Sequence, residues 1–172
     1  MSPAQLFEFC PSCGRPRQTD ANRQPFHCSQ CGFHYYFSAA QAVAAILLGP
    51  DQRALFIRRA KDPAKGKLAV PGGFIDIGET AEEALRREIR EEVNLEVGAL
   101  QFLCSAPNEY HYRDVTYPVL DLIFITSTDN IAPLAALDGV ESYVWLSPDK
   151  VDLNEIAFPS IRQAVEKYNA TR

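Results

Sequence analysis

Glu79, Glu82, Glu83, Glu88, Glu91 and Glu92 crowd into the stretch GFIDIGETAEEALRREIREEVNL at residues 73–95, and their spacing separates surface charge from chemistry. Thr80 followed three residues later by Glu83 forms a capping box, and Gly78 just before it permits a turn, so a helix is expected over 80–93. At about 100° per residue, Ala81, Ala84, Leu85, Ile89 and Val93 define its buried face, with Glu83, Arg86, Arg87 and Arg90 opposite. Glu88 and Glu92 fall within about 20° of the middle of the apolar face, and Glu91 lies at its edge. Carboxylates aimed inward are costly unless a cation compensates them. Set three and four residues apart, they project together from one side of the helix and suit a hard divalent cation with oxygen ligands, magnesium or manganese rather than zinc.

A second set of residues suits a softer metal. Four of the five cysteines fall as Cys10-x-x-Cys13 and Cys28-x-x-Cys31, each pair followed by a glycine. A glycine there lets the backbone turn tightly around a thiolate, and four thiolates complete a closed, structural zinc site with no open position for a substrate. The fourteen residues between Cys13 and Cys28 suit a short hairpin, and so small a leader needs a staple to fold. His27 and His34 are then surface or packing residues. Cys104, inside LQFLCSA, reads as a small buried hydrophobe.

The elements that must position these groups follow from the apolar pattern. The chain of 172 residues, 47% hydrophobic, suits one ordinary domain with a small appendage. It divides near residue 40, giving a ribbon over 1–38 and a main domain over 39–172. From there, strand-length apolar runs alternate with turns: AVAAILL, ALFIRR, LAVPGGF, VGALQFLCSA, VLDLIFIT and YVWL. A second helix is expected over 154–169, where Ile156, Ile161, Val165 and Tyr168 approximate a stripe. A mixed sheet with helices is an α/β sandwich.

Composition excludes some partners. A net charge of −5 and a pI near 5.2 give no general basic footprint for nucleic acid or anionic membrane. In the leader, Arg15, Arg17 and Arg23 against Glu8 and Asp20 leave +3 − 2 = +1. No run of eighteen apolar residues and no basic-then-apolar leader is present. A cytoplasmic, reducing location is expected, with free rather than disulfide-bonded cysteines.

Residues 73–95 resemble the Nudix box, G-x5-E-x7-R-E-U-x-E-E-x-G-U with U a bulky apolar residue. Gly73, Glu79, Arg87, Glu88, Ile89, Glu91, Glu92 and Leu95 stand at its fixed positions, and Asn94 replaces its second glycine. The resemblance implies a Nudix α/β/α sandwich with a mixed sheet, preceded here by a small zinc ribbon. It also implies roles. Glu88, Glu91 and Glu92 hold magnesium or manganese, Glu91 or a neighbour orients or deprotonates the attacking water, and Arg87 positions the glutamates. Glu79 pairs with Arg87 or assists the metal. Gly72 and Gly73 let the backbone approach a phosphate or metal. Asn94 is the next most tolerant residue after glycine for a left-handed helix end, so its presence is expected to cost a little stability only.

Nudix proteins hydrolyse a nucleoside diphosphate linked to another moiety. A zinc ribbon joined to the box resembles the NADH pyrophosphatase group, whose second signature, S-Q-P-W-P-F-P-x-S, is matched here by SAPNEYHY only at Ser105 and Pro107. CGFHYYFS, DPAKGKLAVPGGF and PNEYHY look more like ribbon-bearing enzymes related to plant plastid pyrophosphatases. The candidates are therefore ADP-ribose, FAD and NADH, in that order, with a homodimer as the implied assembly. An RNA-cap hydrolase and a non-catalytic nucleotide-sensing or RNA-binding module are the alternatives. For substrate binding, Tyr110 and Tyr112 alternate on one segment and suit either stacking on a base or flavin ring or packing across strands. Arg58, with Arg59, Lys65 and Lys67, precedes the Gly72–Gly73 loop and suits either a diphosphate or solvent. Glu141, four residues before Trp145, is a candidate late-loop carboxylate.

Overall fold

The leader folds around its cysteines. In the computed structural model, which describes residues 1–18, 20 and 25–171, β1 (Phe26–His27) pairs antiparallel with β2 (His34–Tyr35). The N–H of Gly14 donates to the carbonyl of Cys10, and that of Gly32 to the carbonyl of Cys28, each at 2.9 Å. Both glycines have positive φ, 71° and 75°, which is why the position after each second cysteine is glycine. Phe7, Phe33 and Phe37 pack on buried Cys10, Phe26 and Cys28, with the Phe7 and Phe37 rings edge-to-face at 4.8 Å. His27 and His34 are exposed and stack on each other at 4.3 Å, as their reading as surface residues requires. Arg23, counted above among the leader cations, lies outside the described residues.

The remaining elements are β3 (Ala40–Leu48), β4 (Ala54–Arg59), β5 (Leu68–Ala69), β6 (Gly72–Phe74), α1 (Ala81–Val93), β7 (Gln101–Tyr112), β8 (Val115–Ser127), β9 (Val140–Leu146) and α2 (Pro159–Ala170). Their seven strands form one sheet in the order β5-β4-β3-β8-β7, with β6 also on β3 and β9 on β4. The chain divides into two compact units, Met1–Ala40 with Glu109–Pro118, and Gln41–Asn108 with Val119–Arg172. The tip of the β7–β8 pair thus belongs with the cysteine-bearing leader.

Both faces of the sheet are covered, which explains why AVAAILL lacks polar alternation. Val43, Ala45 and Leu47 of β3 pack with Leu55 and Ile57 of β4 against Ala84, Leu85, Ile89 and Val93 of α1. Ala44, Ile46 and Leu48 pack with Ala54 and Phe56 against Ile161, Ala164, Val165 and Tyr168 of α2. This is the expected α/β sandwich. Cys104 is half-buried against the second of these cores.

Two boundaries differ from expectation. The second helix begins at Pro159 rather than residue 154, because proline lacks the N–H that a preceding turn would need and fits the first helical position. Residues Leu153–Glu155 form a separate 3-10 turn, capped by Asp152. LAVPGGF is two short strands, since Pro71 cannot donate to a ladder. No helix among the described residues is long and apolar enough to cross a membrane.

Candidate active site

α1 starts as its sequence dictates. Thr80 Oγ1 accepts the N–H of Glu83 at 3.2 Å, and Glu83 Oε2 accepts the N–H of Thr80 at 2.9 Å. Glu83 is thereby used as a cap, while Glu88 and Glu92, on the line of Leu85 and Ile89, point toward β6 and are half-buried.

β6 meets them with backbone. It pairs with β3 in the register Ala44↔Gly72 and Val43↔Gly73. The N–H of Gly72 donates to Glu92 Oε2 at 3.0 Å. A Cβ at either glycine would collide, with backbone at Gly72, whose φ is +151° and whose Cβ would lie 2.1 Å from the Val43 carbonyl oxygen, and with a side-chain end at Gly73, 2.5 Å from the Glu88 carboxyl carbon. The carboxylate of Glu88 therefore rests directly on the Gly73 backbone.

Arg87 ties the other carboxylates together. Its Nε and Nη2 donate to the two oxygens of Glu79 at 2.8 and 2.9 Å. Its Nη1 donates to Glu88 Oε1 at 2.7 Å and to Glu91 Oε2 at 3.1 Å, and Nη2 also reaches the Phe74 carbonyl at 3.1 Å. The planar fork of a guanidinium allows this; an ammonium has no such geometry. The loop between β6 and α1 is closed by Asp76 and Glu79: the Asp76 N–H donates to Glu79 Oε2 and the Glu79 N–H to the Asp76 carbonyl, each at 3.1 Å.

The electrostatics follow. The Arg87 hydrogen bonds, helped by the Asp76 N–H, hold Glu79 down to about 2. Burial raises Glu88 above the ordinary range despite Arg87. Burial also pushes Glu92 up to about 8, opposed by the Gly72 N–H and reinforced by the negative charge of Glu88. Burial thus disfavours the charged forms of both inward carboxylates, and at Glu92 the charge of Glu88 adds to it, the condition a divalent cation relieves. The donor set, all oxygen, fits a hard cation.

Residues 39–168 match the family model described as the NUDIX domain. The chain belongs to the Nudix family. It is 40% identical over 95 residues to the ADP-ribose pyrophosphatase of Methanocaldococcus jannaschii, covering 54% of this chain and 53% of that protein. It is 38% identical over 98 residues to the human mitochondrial NAD(P)H pyrophosphatase NUDT13, covering 57% and 27%. With the NAD-capped RNA hydrolase NudC of Pseudomonas aeruginosa it shares 30% over 97 residues, covering 56% and 34%. The matched segment thus spans about half or less of each relative's length. A Nudix hydrolase crystal structure from Nitrosomonas europaea shares the fold, with a TM-score of 0.74, 21% identity and coverage of 96% of this chain and 92% of that one. Nudix hydrolases use divalent metals.

The end of the Nudix helix is fully accounted for. Four carbonyls at a helix C-terminus lack intrahelical partners. Here Arg90 O accepts the N–H of Asn94 at 3.0 Å, and Glu91, Glu92 and Val93 accept those of Asp138, Leu137 and Ala135 at 3.3, 2.9 and 3.2 Å. Asn94 is left-handed, φ 54° and ψ 39°, as the box position requires. Its Nδ2 also donates to the Pro133 carbonyl at 2.9 Å, a bond glycine cannot make. The loop containing residues 133–138 carries no motif, and sequence reasoning missed it.

Among the described residues, only Cys10, Cys13, Cys28 and Cys31 bring all their ligating atoms within 4.8 Å of one another; Glu91 lies instead on Arg87. The sulfurs of Cys10 and Cys31, and of Cys13 and Cys28, are 3.7 Å apart. A tetrahedral site with metal–sulfur bonds of about 2.3 Å has edges of about 3.8 Å, so the donor set fits a zinc-sized ion. The Cys31 N–H leads in drawing Cys28 down to about 7. Cys13, although the Arg15 backbone pulls it down, is pushed to about 12 by burial and its neighbouring sulfurs.

Tyr110 and Tyr112 belong to the unit that holds the cysteines, not to the one that holds the glutamates. Arg58 Nη1 donates to the Gly66 carbonyl and lines a cavity with Leu68, Ser142, Tyr143, Val144 and Leu146. Arg59 Nε donates to the Pro63 carbonyl, Lys67 pairs with Glu155 at 3.1 Å, and Lys65 is exposed. His111 and Glu141 are exposed.

Proposed function

We propose that this chain hydrolyses the pyrophosphate bond of a nucleoside diphosphate derivative in a divalent-metal-dependent reaction, with ADP-ribose the first candidate and FAD and NADH after it. The observation that carries the reading is Glu92: a half-buried carboxylate, held by the Gly72 N–H beside the carboxylate of Glu88. In this reading residues 39–172 are the hydrolase domain, and Glu88, Glu91 and Glu92 hold magnesium or manganese with the backbone of Gly73. A bound cation would neutralise the diphosphate and lower the pKa of an attacking water.

The remaining work falls to the chain. Glu91, the most exposed of the three, accepts the proton of the water. The water oxygen adds to one phosphorus, the bridging P–O bond breaks, and two monophosphates leave. Arg87 keeps Glu79, Glu88 and Glu91 in register, and Gly72 and Gly73 admit the substrate phosphates close to the backbone. Arg58 contacts the substrate.

Residues 1–38 form, in the same proposal, a ribbon held by structural zinc on four thiolates, in a reducing compartment such as the cytoplasm. The assembly is a homodimer, and a monomeric mass at assay concentration removes that part. The test of the whole is a magnesium-dependent hydrolysis screen over ADP-ribose, FAD, NADH, NAD and capped RNA. Turnover of ADP-ribose, abolished by chelator, is expected; no hydrolysis of any of them sinks the proposal. The NudC relative favours one second reading, decapping of RNA, which predicts faster turnover of the capped RNA than of free dinucleotides.

A further inference from the structure

The loop containing residues 133–138 is bonded to the last turn of the Nudix helix at the very residues that bear Glu91 and Glu92. Ala135, Leu137 and Asp138 donate their N–H groups to the carbonyls of Val93, Glu92 and Glu91. Leu134 packs on the α1 side of the sheet. At its far end the loop is tied to the segment after β4, through the Ala60 N–H on the Gly139 carbonyl at 2.8 Å and Lys61 on Asp138 at 2.7 Å. The latter is an exposed ion pair, weak on its own. Pro133 is where the loop reaches the helix end, and Asn94 Nδ2 holds its carbonyl.

Replacing the box glycine by asparagine is thus more than a tolerated substitution. Glycine supplies the left-handed φ and nothing else, whereas asparagine supplies the same φ and an amide donor. We infer that Asn94 is a positioning residue: by holding the Pro133 carbonyl it keeps the 133–138 loop seated on the helix end, and so fixes the backbone that carries Glu91 and Glu92. Nothing in this role requires Asn94 to touch substrate or metal.

The inference rests on the proposed hydrolase reading only for its consequence in catalysis, so its test has three readouts. Asn94→Gly restores the motif residue and introduces no backbone strain. Asn94→Asp keeps the shape and the tolerance of positive φ but removes the donor. Each is compared with the full-length wild type for amide exchange at Ala135 and Leu137, for Mn2+ binding followed by electron paramagnetic resonance, and for magnesium-dependent turnover. Both variants are expected to exchange these amides about fivefold faster and bind Mn2+ about fivefold more weakly, the size one exposed hydrogen bond provides. Turnover should fall in kcat with KM for the nucleotide unchanged. Wild-type exchange and Mn2+ binding in Asn94→Gly overturns the inference. If wild type itself hydrolyses nothing while exchange and Mn2+ binding respond as expected, the hydrolase reading fails and the positioning role stands.

Discussion

The Gly72 N–H donates to Glu92 Oε2 at 3.0 Å, so the strand next to the centre of the sheet and the last turn of α1 meet through one backbone donor and one carboxylate. That bond orients Glu92 without offsetting its burial, which still raises its pKa to about 8. Replacing Glu92 by Gln keeps shape and volume and removes the ability to ionise and ligate a cation. Magnesium-dependent turnover should fall about 100-fold or more while far-UV circular dichroism and melting are retained; near wild-type rates would show that Glu92 holds no cation.

The glycines separate two kinds of damage. In Gly73→Ala the new methyl meets the mobile end of Glu88, so the chain should fold and lose turnover. In Gly72→Ala it meets the Val43 backbone, and φ is one that alanine avoids. That variant should lose soluble, cooperatively melting protein as well as activity. Equal melting temperatures for the two would contradict this placement.

Arg87→Lys retains the positive charge and loses the fork. With Glu79 gripped by two nitrogens and Glu88 and Glu91 by a third, lysine cannot serve all three, and a decrease in activity of roughly 10–100-fold is expected from lost orientation. Measuring kcat for Arg87→Lys and Arg87→Ala side by side checks it. A lysine variant indistinguishable from wild type would mean that charge alone suffices.

Glu79 gives a pH dependence whose sign is fixed. Its carboxyl is held at about 2 in the fold against an ordinary 4.5. The stability it contributes is therefore complete above about pH 4.5 and lost as pH falls toward 2. Urea unfolding of wild type and Glu79→Gln at pH 7 and pH 3 should show a smaller difference between the two proteins at pH 3. A difference that grew on acidification would reverse the assignment.

Cys13→Ser removes one corner of the thiolate tetrahedron. Wild type is expected to release one zinc per chain on denaturation, and the variant markedly less, with the leader becoming sensitive to protease. Full zinc retention by the variant would rule out a four-thiolate site.

Much of this was legible in the sequence because it rests on local periodicity. The alternation of Val43, Ala45 and Leu47 with Ala44, Ile46 and Leu48 reads as a strand buried on both sides, and Glu88 and Glu92 declare themselves by standing on an apolar helix face. The cysteine knuckles are equally local. What stayed hidden depends on contacts distant in sequence and made by backbone. No residue type marks Leu137 as the donor to Glu92, because every residue but proline has an N–H. Tyr110 and Tyr112 alternate as expected, yet which compact unit they join is a tertiary fact. Apolar spacing that continues through Ile156 places the start of α2 too early, because the helix begins only at Pro159.

The hairpin tip Glu109–Pro118 shares a compact unit with Met1–Ala40, and the Thr116 N–H donates to the carbonyl of Met1 at 2.8 Å. During synthesis the cysteine knuckles emerge first, but the piece that completes their unit follows only after the Nudix helix has been made. The leader is therefore not a portable cassette: a graft that keeps this unit intact has to carry two separated stretches of chain.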